Sequence, residues 1–168
     1  MSGADKIVDG VWWTGVNDFT NDLFEGIWPI PDGVSINSYV VKGEKIDLID
    51  LVKEGGGGSS EDLIGQLASI DIKPDDVDYL ILNHLEPDHT GYLRNFRILC
   101  PNAEILTSKK GVPLVEAFYG ITEKVRAVED GEELDIGNGK KFVFAYIPNV
   151  HWPETMVTYE ASDKILFS

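Results

Sequence analysis

Cysteine is almost missing from this chain. Cys100 is the single one among 168 residues, so an internal disulfide is excluded and a reducing, cytoplasmic setting is expected. Basic residues are also scarce: 14 Lys and Arg stand against 29 Asp and Glu, a formal net charge of −15. Nucleic acid and anionic membrane surfaces repel such a protein at long range, and neither is an expected partner. No apolar run approaches the roughly twenty residues that span a bilayer. The opening Met1-Ser-Gly-Ala-Asp-Lys6 lacks the basic flank and apolar core of a secretory leader. There is no internal repeat, and the one low-complexity stretch is Gly55–Gly58. Without a following Gly-Lys-Ser/Thr, those glycines read as a flexible turn rather than a phosphate-binding loop. What remains is an ordinary globular composition, 43% hydrophobic, enough for one core, so residues 1–168 are read as one unit.

The order of elements points to an α/β (α+β) class. Val8 to Val16, Leu23 to Trp28, Ile36 to Val41 and Lys45 to Leu51 read as strands separated by turn residues, an antiparallel opening sheet. Ser59-Ser60-Glu-Asp62 signals a helix start, with Leu63, Leu67 and Ile70 as its apolar face. Strands and helices then alternate: Tyr79 to Leu82, the helix Tyr92 to Leu99, Ala103 to Thr107, and the helix Lys110 to Tyr119 ended by Gly120. Lys124 to Val128, Glu133 to Ile136, Lys141 to Ile147, Thr155 to Glu160 and Lys164 to Phe167 return to strands. Trp12, Trp13 and Trp28 are expected in the core or on a sheet face, Cys100 as a small buried hydrophobe, and Glu129–Glu133 as a solvated hairpin turn.

Only three histidines occur, and two fall within Asn83-His-Leu-Glu-Pro-Asp-His-Thr-Gly91, directly after the apolar run Tyr79–Leu82. His84, Glu86, Asp88 and His89 offer four ligand-capable side chains in six residues. If the chain stays extended as it leaves the strand, positions 84, 86 and 88 project to one face and converge. His89, adjacent to Asp88, does not chelate with that geometry, so the cluster suggests two metal ions. The third histidine, His151, lies in Asn149-Val-His-Trp-Pro-Glu-Thr-Met156 after another strand-like run. Taken alone, a histidine in such a place is more often a satisfied, partly buried residue than a ligand. Trp152 beside it is placed to shape a pocket.

The two motifs together, with Gly33-Val-Ser-Ile-Asn-Ser-Tyr39 and Ser108-Lys-Lys-Gly111, resemble the metallo-β-lactamase-like domain of flavodiiron proteins, the oxygen and nitric oxide reductases. The wider superfamily, mostly zinc hydrolases, carries His-x-His-x-Asp-His where this chain has Glu86. A hard anionic oxygen in place of a neutral nitrogen suits iron or manganese, whereas zinc favours nitrogen and sulfur and has no redox chemistry. The resemblance implies a four-layer αββα sandwich with ligands on loops at one sheet edge. It assigns His84, Glu86 and His151 to one iron and Asp88 and His89 to the other. It further implies an iron pair bridged by an aspartate of a Phe-Ser-x-Asp segment, which Leu166-Phe-Ser168 stops short of. A flavodoxin-like domain carrying flavin mononucleotide (FMN) is likewise not found within these residues. The expectation is therefore a C-terminally truncated first part of the domain, completed by a homo-oligomer or a partner chain, fed by a flavin or rubredoxin-type donor, and acting on dioxygen or nitric oxide. Two other classes use similar ligands: a non-enzymatic diiron oxygen-binding sensor, and a zinc-dependent hydrolase of the same fold, against which Glu86 argues.

Overall fold

The computed structural model describes residues 3–24, 26–53 and 60–168. Eight strands come first: β1 (Asp5–Val8), β2 (Val11–Trp13), β3 (Val16–Asp18), β4 (Leu23–Phe24), β5 (Trp28–Pro29), β6 (Val34–Ile36), β7 (Tyr39–Lys42) and β8 (Ile46–Ile49). Helix α1 (Ser60–Ala68), β9 (Tyr79–Ile81), the short α2 (Pro87–Thr90), α3 (Leu93–Leu99), β10 (Glu104–Ser108), α4 (Gly111–Tyr119) and β11 (Val125–Val128) follow. The chain continues as β12 (Glu133–Gly137), β13 (Lys140–Tyr146), β14 (Met156–Glu160) and β15 (Ile165–Phe167).

Seven strands form one sheet in the order β1-β2-β7-β8-β9-β10-β11, and β12-β13-β14-β15 form a second. The first is antiparallel from β1 to β8 and parallel from β8 to β11. Parallel neighbours need crossover connections, and α1, α3 and α4 lie in those connections. Leu63 and Leu67 of α1, Leu93 and Phe96 of α3, and Val115 of α4 pack with Val40, Leu48, Leu80 and Ile105 on the outer face. Each fully buried side chain of this size contributes about 1.5–3 kcal/mol of burial. The inner face carries Val41, Ile49, Ile81 and Leu106, which meet Phe142, Phe144, Met156 and Phe167 of the second sheet. Strict alternation produces the two faces: Phe142 and Phe144 are buried while Val143 and Ala145 are not. Helices, the seven-stranded sheet and the four-stranded sheet thus supply three successive layers of the expected αββα order.

Several expectations are corrected in detail. Val8 to Val16 takes in parts of three strands, β1 to β3, and Ile36 to Val41 parts of two, while Leu23 to Trp28 falls in the β4–β5 hairpin. Trp28 is 62% exposed, not a core aromatic. Residues 129–132 do not close a hairpin; they carry the chain from β11 in one sheet to β12 in the other. Ser59 and Gly55–Gly58 lie outside the described residues, and α1 begins at Ser60.

Polar links hold the sheets together at both ends. Asn83 receives a hydrogen bond from the Thr158 hydroxyl on its Oδ1 at 2.7 Å and gives one from Nδ2 to the Phe167 carbonyl at 3.3 Å. Its own carbonyl accepts from the Met156 N–H at 2.9 Å. At the other end the N–H groups of Glu44 and Lys45 both donate to the Ile136 carbonyl, at 2.7 and 3.0 Å. Asp47 is a buried polar group left unmatched among the described residues. It alternates with Ile49 on the inner face of β8, and neither carboxylate oxygen has a hydrogen-bond partner there. Burial, reinforced by the Asp78 charge, pushes its carboxyl well above the usual range.

Candidate metal centre

The chain leaves β9, bends at Asn83 and again at Glu86, and Glu86 itself keeps an extended backbone. Leu85 is fully buried in the outer core, which turns His84 and Glu86 to the opposite side. His84 Nε2 lies 3.0 Å from Glu86 Oε2. Pro87 then starts α2, a position where its missing N–H costs nothing. The Thr90 hydroxyl closes this turn: it stands 3.1 Å from the Leu85 carbonyl, 2.9 Å from the Glu86 carbonyl and 2.7 Å from Tyr119 Oη on α4. The loop that carries the first motif is therefore tied to a helix on the far side of β10.

The β13–β14 connection delivers the second motif. His151 Nε2 comes to 2.9 Å from the same Glu86 Oε2. His84, Glu86 and His151 each offer one ligand atom within a sphere where all lie within 4.8 Å of one another. Trp152 stands edge-on to His84, ring centroids 5.1 Å apart. A cleft of about 250 Å³ runs along His84, His89, His151, Thr155 and Met156. A second, of about 300 Å³, opens on the other side between the β4–β5 hairpin and Glu86, Pro87 and Asp88.

Asp88 and His89 stand outside the three-residue group. The expected convergence of 84, 86 and 88 on one extended face is not observed, because α2 begins at Pro87 and rotates Asp88 away. Asp88 Oδ2 faces His89 Nε2 at 3.7 Å, while His89 Nδ1 faces Asp50 Oδ2 at 3.4 Å. The His84 and His89 rings remain neighbours, with centroids 5.3 Å apart. Burial depresses the His89 imidazolium, but Asp50, Asp88 and Glu86 outweigh it and raise the group to about 9. Asp88 Oδ1 and His89 Nδ1 are buried without a hydrogen-bond partner among the described residues.

This donor set fits metal ions. Carboxylate and imidazole atoms converge, and orphaned buried polar atoms sit beside them, an arrangement that a cation satisfies and that is costly without one. The three converging donors, two imidazoles and the Glu86 carboxylate, combine nitrogen with a hard oxygen.

Sequence reasoning missed three residues at the site. Asp50, at the end of β8 with φ of 52°, receives the Asn83 N–H on Oδ1 at 2.8 Å and aims Oδ2 at His89. Glu154 lies against His84 Nδ1 at 2.8 Å. Lys53 pairs with the buried Asp18 and lines the hairpin cleft. For Glu154 a signal was present, an acid inside the second motif; Asp50 and Lys53 reach the site through sheet pairing that no local pattern reveals. Cys100 is buried, and burial pushes its thiol up to about 12, as suits a packing residue.

The family described as ODP family beta lactamase matches residues 34–168. The chain belongs to that family. Comparison with curated proteins and solved structures extends the match over nearly all of it. The chain is 37% identical to the flavo-diiron protein FprA2 of Clostridium acetobutylicum, over 98% of this chain and 40% of that protein. It is 34% identical to the anaerobic nitric oxide reductase flavorubredoxin of Salmonella arizonae, over 96% of this chain and 33% of that protein. The rubredoxin oxygen:oxidoreductase of Desulfovibrio gigas superimposes with a TM-score of 0.86 at 34% identity, covering 98% of this chain and 40% of that one. These ODP-family relatives bear out the resemblance to the first, metallo-β-lactamase-like part of flavodiiron proteins. The chain spans about 40% of the length of FprA2.

Proposed function

We propose that this chain forms the metal-binding face of a diiron oxidoreductase that reduces dioxygen to water or nitric oxide to nitrous oxide. The observation that carries the reading is the convergence of His84 Nε2, Glu86 Oε2 and His151 Nε2 within 4.8 Å, with an oxygen donor where zinc hydrolases of this fold place a nitrogen. In this reading His84, Glu86 and His151 hold one iron, and Asp88 with His89 contribute to the second. Bound iron supplies the reducing electrons and polarises the substrate. Glu86 and Asp88 offset the cationic charge, Trp152 and Thr155 exclude bulk water from the His84 side, and the two clefts admit a small substrate. A recharging FMN would sit on another domain or a partner chain, supplied by a rubredoxin-type donor in the cytoplasm. Among the described residues no helix is long and apolar enough to cross a membrane.

Metal analysis of the chain produced with both iron and zinc available tests this. Iron should exceed zinc in the native chain, and Glu86→His should move the preference toward zinc by supplying a third nitrogen. Stoichiometric zinc with negligible iron in the native chain would sink the redox reading and favour the hydrolase. If iron binds, a stable oxygen adduct that persists in the presence of a flavin reductant would favour the sensor.

A further inference from the structure

Glu154 lies three residues beyond His151, and its side chain is wholly buried. Its Oε1 has two neighbours: the Leu85 N–H, which donates to it at 3.1 Å, and His84 Nδ1, at 2.8 Å. Oε2 is buried with no hydrogen-bond partner among the described residues. The backbone that carries Glu154 is itself pinned, since Ser108 Oγ donates to the Glu154 carbonyl at 2.6 Å and receives the Gly111 N–H at 3.1 Å. Neither the carboxylate nor its segment is free to turn away from the ring.

An imidazole binds a metal through whichever nitrogen keeps its lone pair, and the hydrogen bond at the other nitrogen decides which that is. A carboxylate oxygen only accepts, from the Leu85 amide and from the ring, and the Thr155 hydroxyl 3.4 Å from the same nitrogen gives its proton to the Trp152 carbonyl, so with Glu154 as a carboxylate His84 Nδ1 carries the shared proton. The lone pair is then left on Nε2, the atom that faces Glu86 and lies within the three-donor group. A leucine would fill a similar volume, yet a buried carboxylate is retained here at a desolvation cost, and its one matched oxygen is spent on this ring and the adjoining amide. From these contacts we infer that Glu154 is a positioning residue: it fixes the Nδ1–H form and the orientation of His84 and so selects Nε2 as the donor atom. The inference rests on the reading of His84 as a metal ligand.

The test uses the nitrogen-15-labelled chain with zinc as a diamagnetic probe, read by histidine side-chain NMR and by chelator competition. Native His84 should bind zinc through Nε2 and show a protected Nδ1 proton. Glu154→Leu should lose that proton signal and weaken zinc binding by about 10–100-fold, the usual scale for an outer partner of a ligating histidine. Glu154→Gln, which keeps an oxygen acceptor without the charge, should retain the Nδ1 proton and Nε2 ligation with a loss nearer about tenfold. A residue that merely fills space would leave the nitrogen assignment unchanged in both variants. If Glu154→Leu does not fold, Glu154→Gln decides, since unaltered affinity with an unshifted Nδ1 proton there overturns the inference. So does native binding through Nδ1. A native chain that takes up no zinc at His84, with the Nδ1 proton protected all the same, overturns the metal reading and this role with it. Zinc bound normally and indifferent to Glu154 overturns the positioning role alone.

Discussion

The two motifs that meet at the candidate centre are built differently. The first is buried and cross-braced: His84 is 5% exposed and held between Glu154 and Glu86, and Asn83 beside it joins both sheets. The second presents His151 with its side chain 69% exposed and one close polar contact, Glu86 Oε2. A braced ligand has little freedom left to lose when an ion arrives, whereas an exposed one is ordered at that moment. His84 therefore contributes to the stability of the metal-free fold, whereas His151 contributes to metal capture without supporting the fold.

His84→Ala should give the largest effect. It removes the partner of the buried Glu154, and loss of one member of a buried pair costs about 3 kcal/mol. Urea unfolding of the metal-free chain measures it, and metal binding at the three-donor group should vanish in the same variant. An unchanged unfolding midpoint would place the two motifs on an equal footing and break the comparison.

Asp47 supplies the contrast of a carboxylate buried without a partner. Replacing it by valine, of similar volume, should stabilise the chain at neutral pH by about 1–2 kcal/mol. Because the folded value is raised, the penalty for burying this group grows as pH rises above the ordinary aspartate value of 3.8. The gain from Asp47→Val should accordingly shrink below that pH, which unfolding at several pH values will show.

Asp18 behaves in the opposite sense. Its hydrogen-bonded pairing with Lys53, helped by Thr20 and Asn21, holds the carboxyl well below the usual range against the effect of burial. The stability it contributes is present above pH 3.8 and is lost as pH falls through the lower folded value. Native chain and Asp18→Asn should differ most above that pH and converge in stronger acid. A difference constant with pH would show that the pair does not survive in solution.

The smallest stability change belongs to His151→Ala, within about 0.5 kcal/mol for the metal-free chain, as expected of an exposed site. Metal affinity should nonetheless fall sharply, since one of three converging donors is gone. That pairing of outcomes, set beside His84→Ala, is the sharpest statement of the difference between the motifs. Preserved metal content with the fold intact would return His151 to a structural role.

Much of this was legible in the sequence because the chemistry is concentrated locally. Two histidines and two carboxylates in one loop after an apolar run announce a site whatever the fold around it, and the strand order follows from alternation. What was hidden depends on contacts between distant segments. The turn at Pro87 carried its own signal, proline at a first helical position, yet period-two reasoning extended the strand through it and misplaced Asp88. Asp50 looks like the end of an ordinary strand until β8 pairs with β9 and brings it beside Asn83. Trp28 is apolar and aromatic, but the β4–β5 hairpin stands off the core, so its composition did not determine its burial.

The separation of His84 from Glu154 by 70 positions also sets an order in time. Contacts between such distant segments close long loops, and closure of long loops comes late in folding. As the polypeptide emerges from the ribosome, His84 and Glu86 are exposed to the cellular metal pool before His151 and Glu154 have been synthesised. At that stage the ring is not held by Glu154, and any divalent ion is met by an incomplete set of donors. The three-donor group is complete only once the β13–β14 connection docks, so under the proposed reading the choice of ion falls to the folded sandwich rather than to the nascent chain.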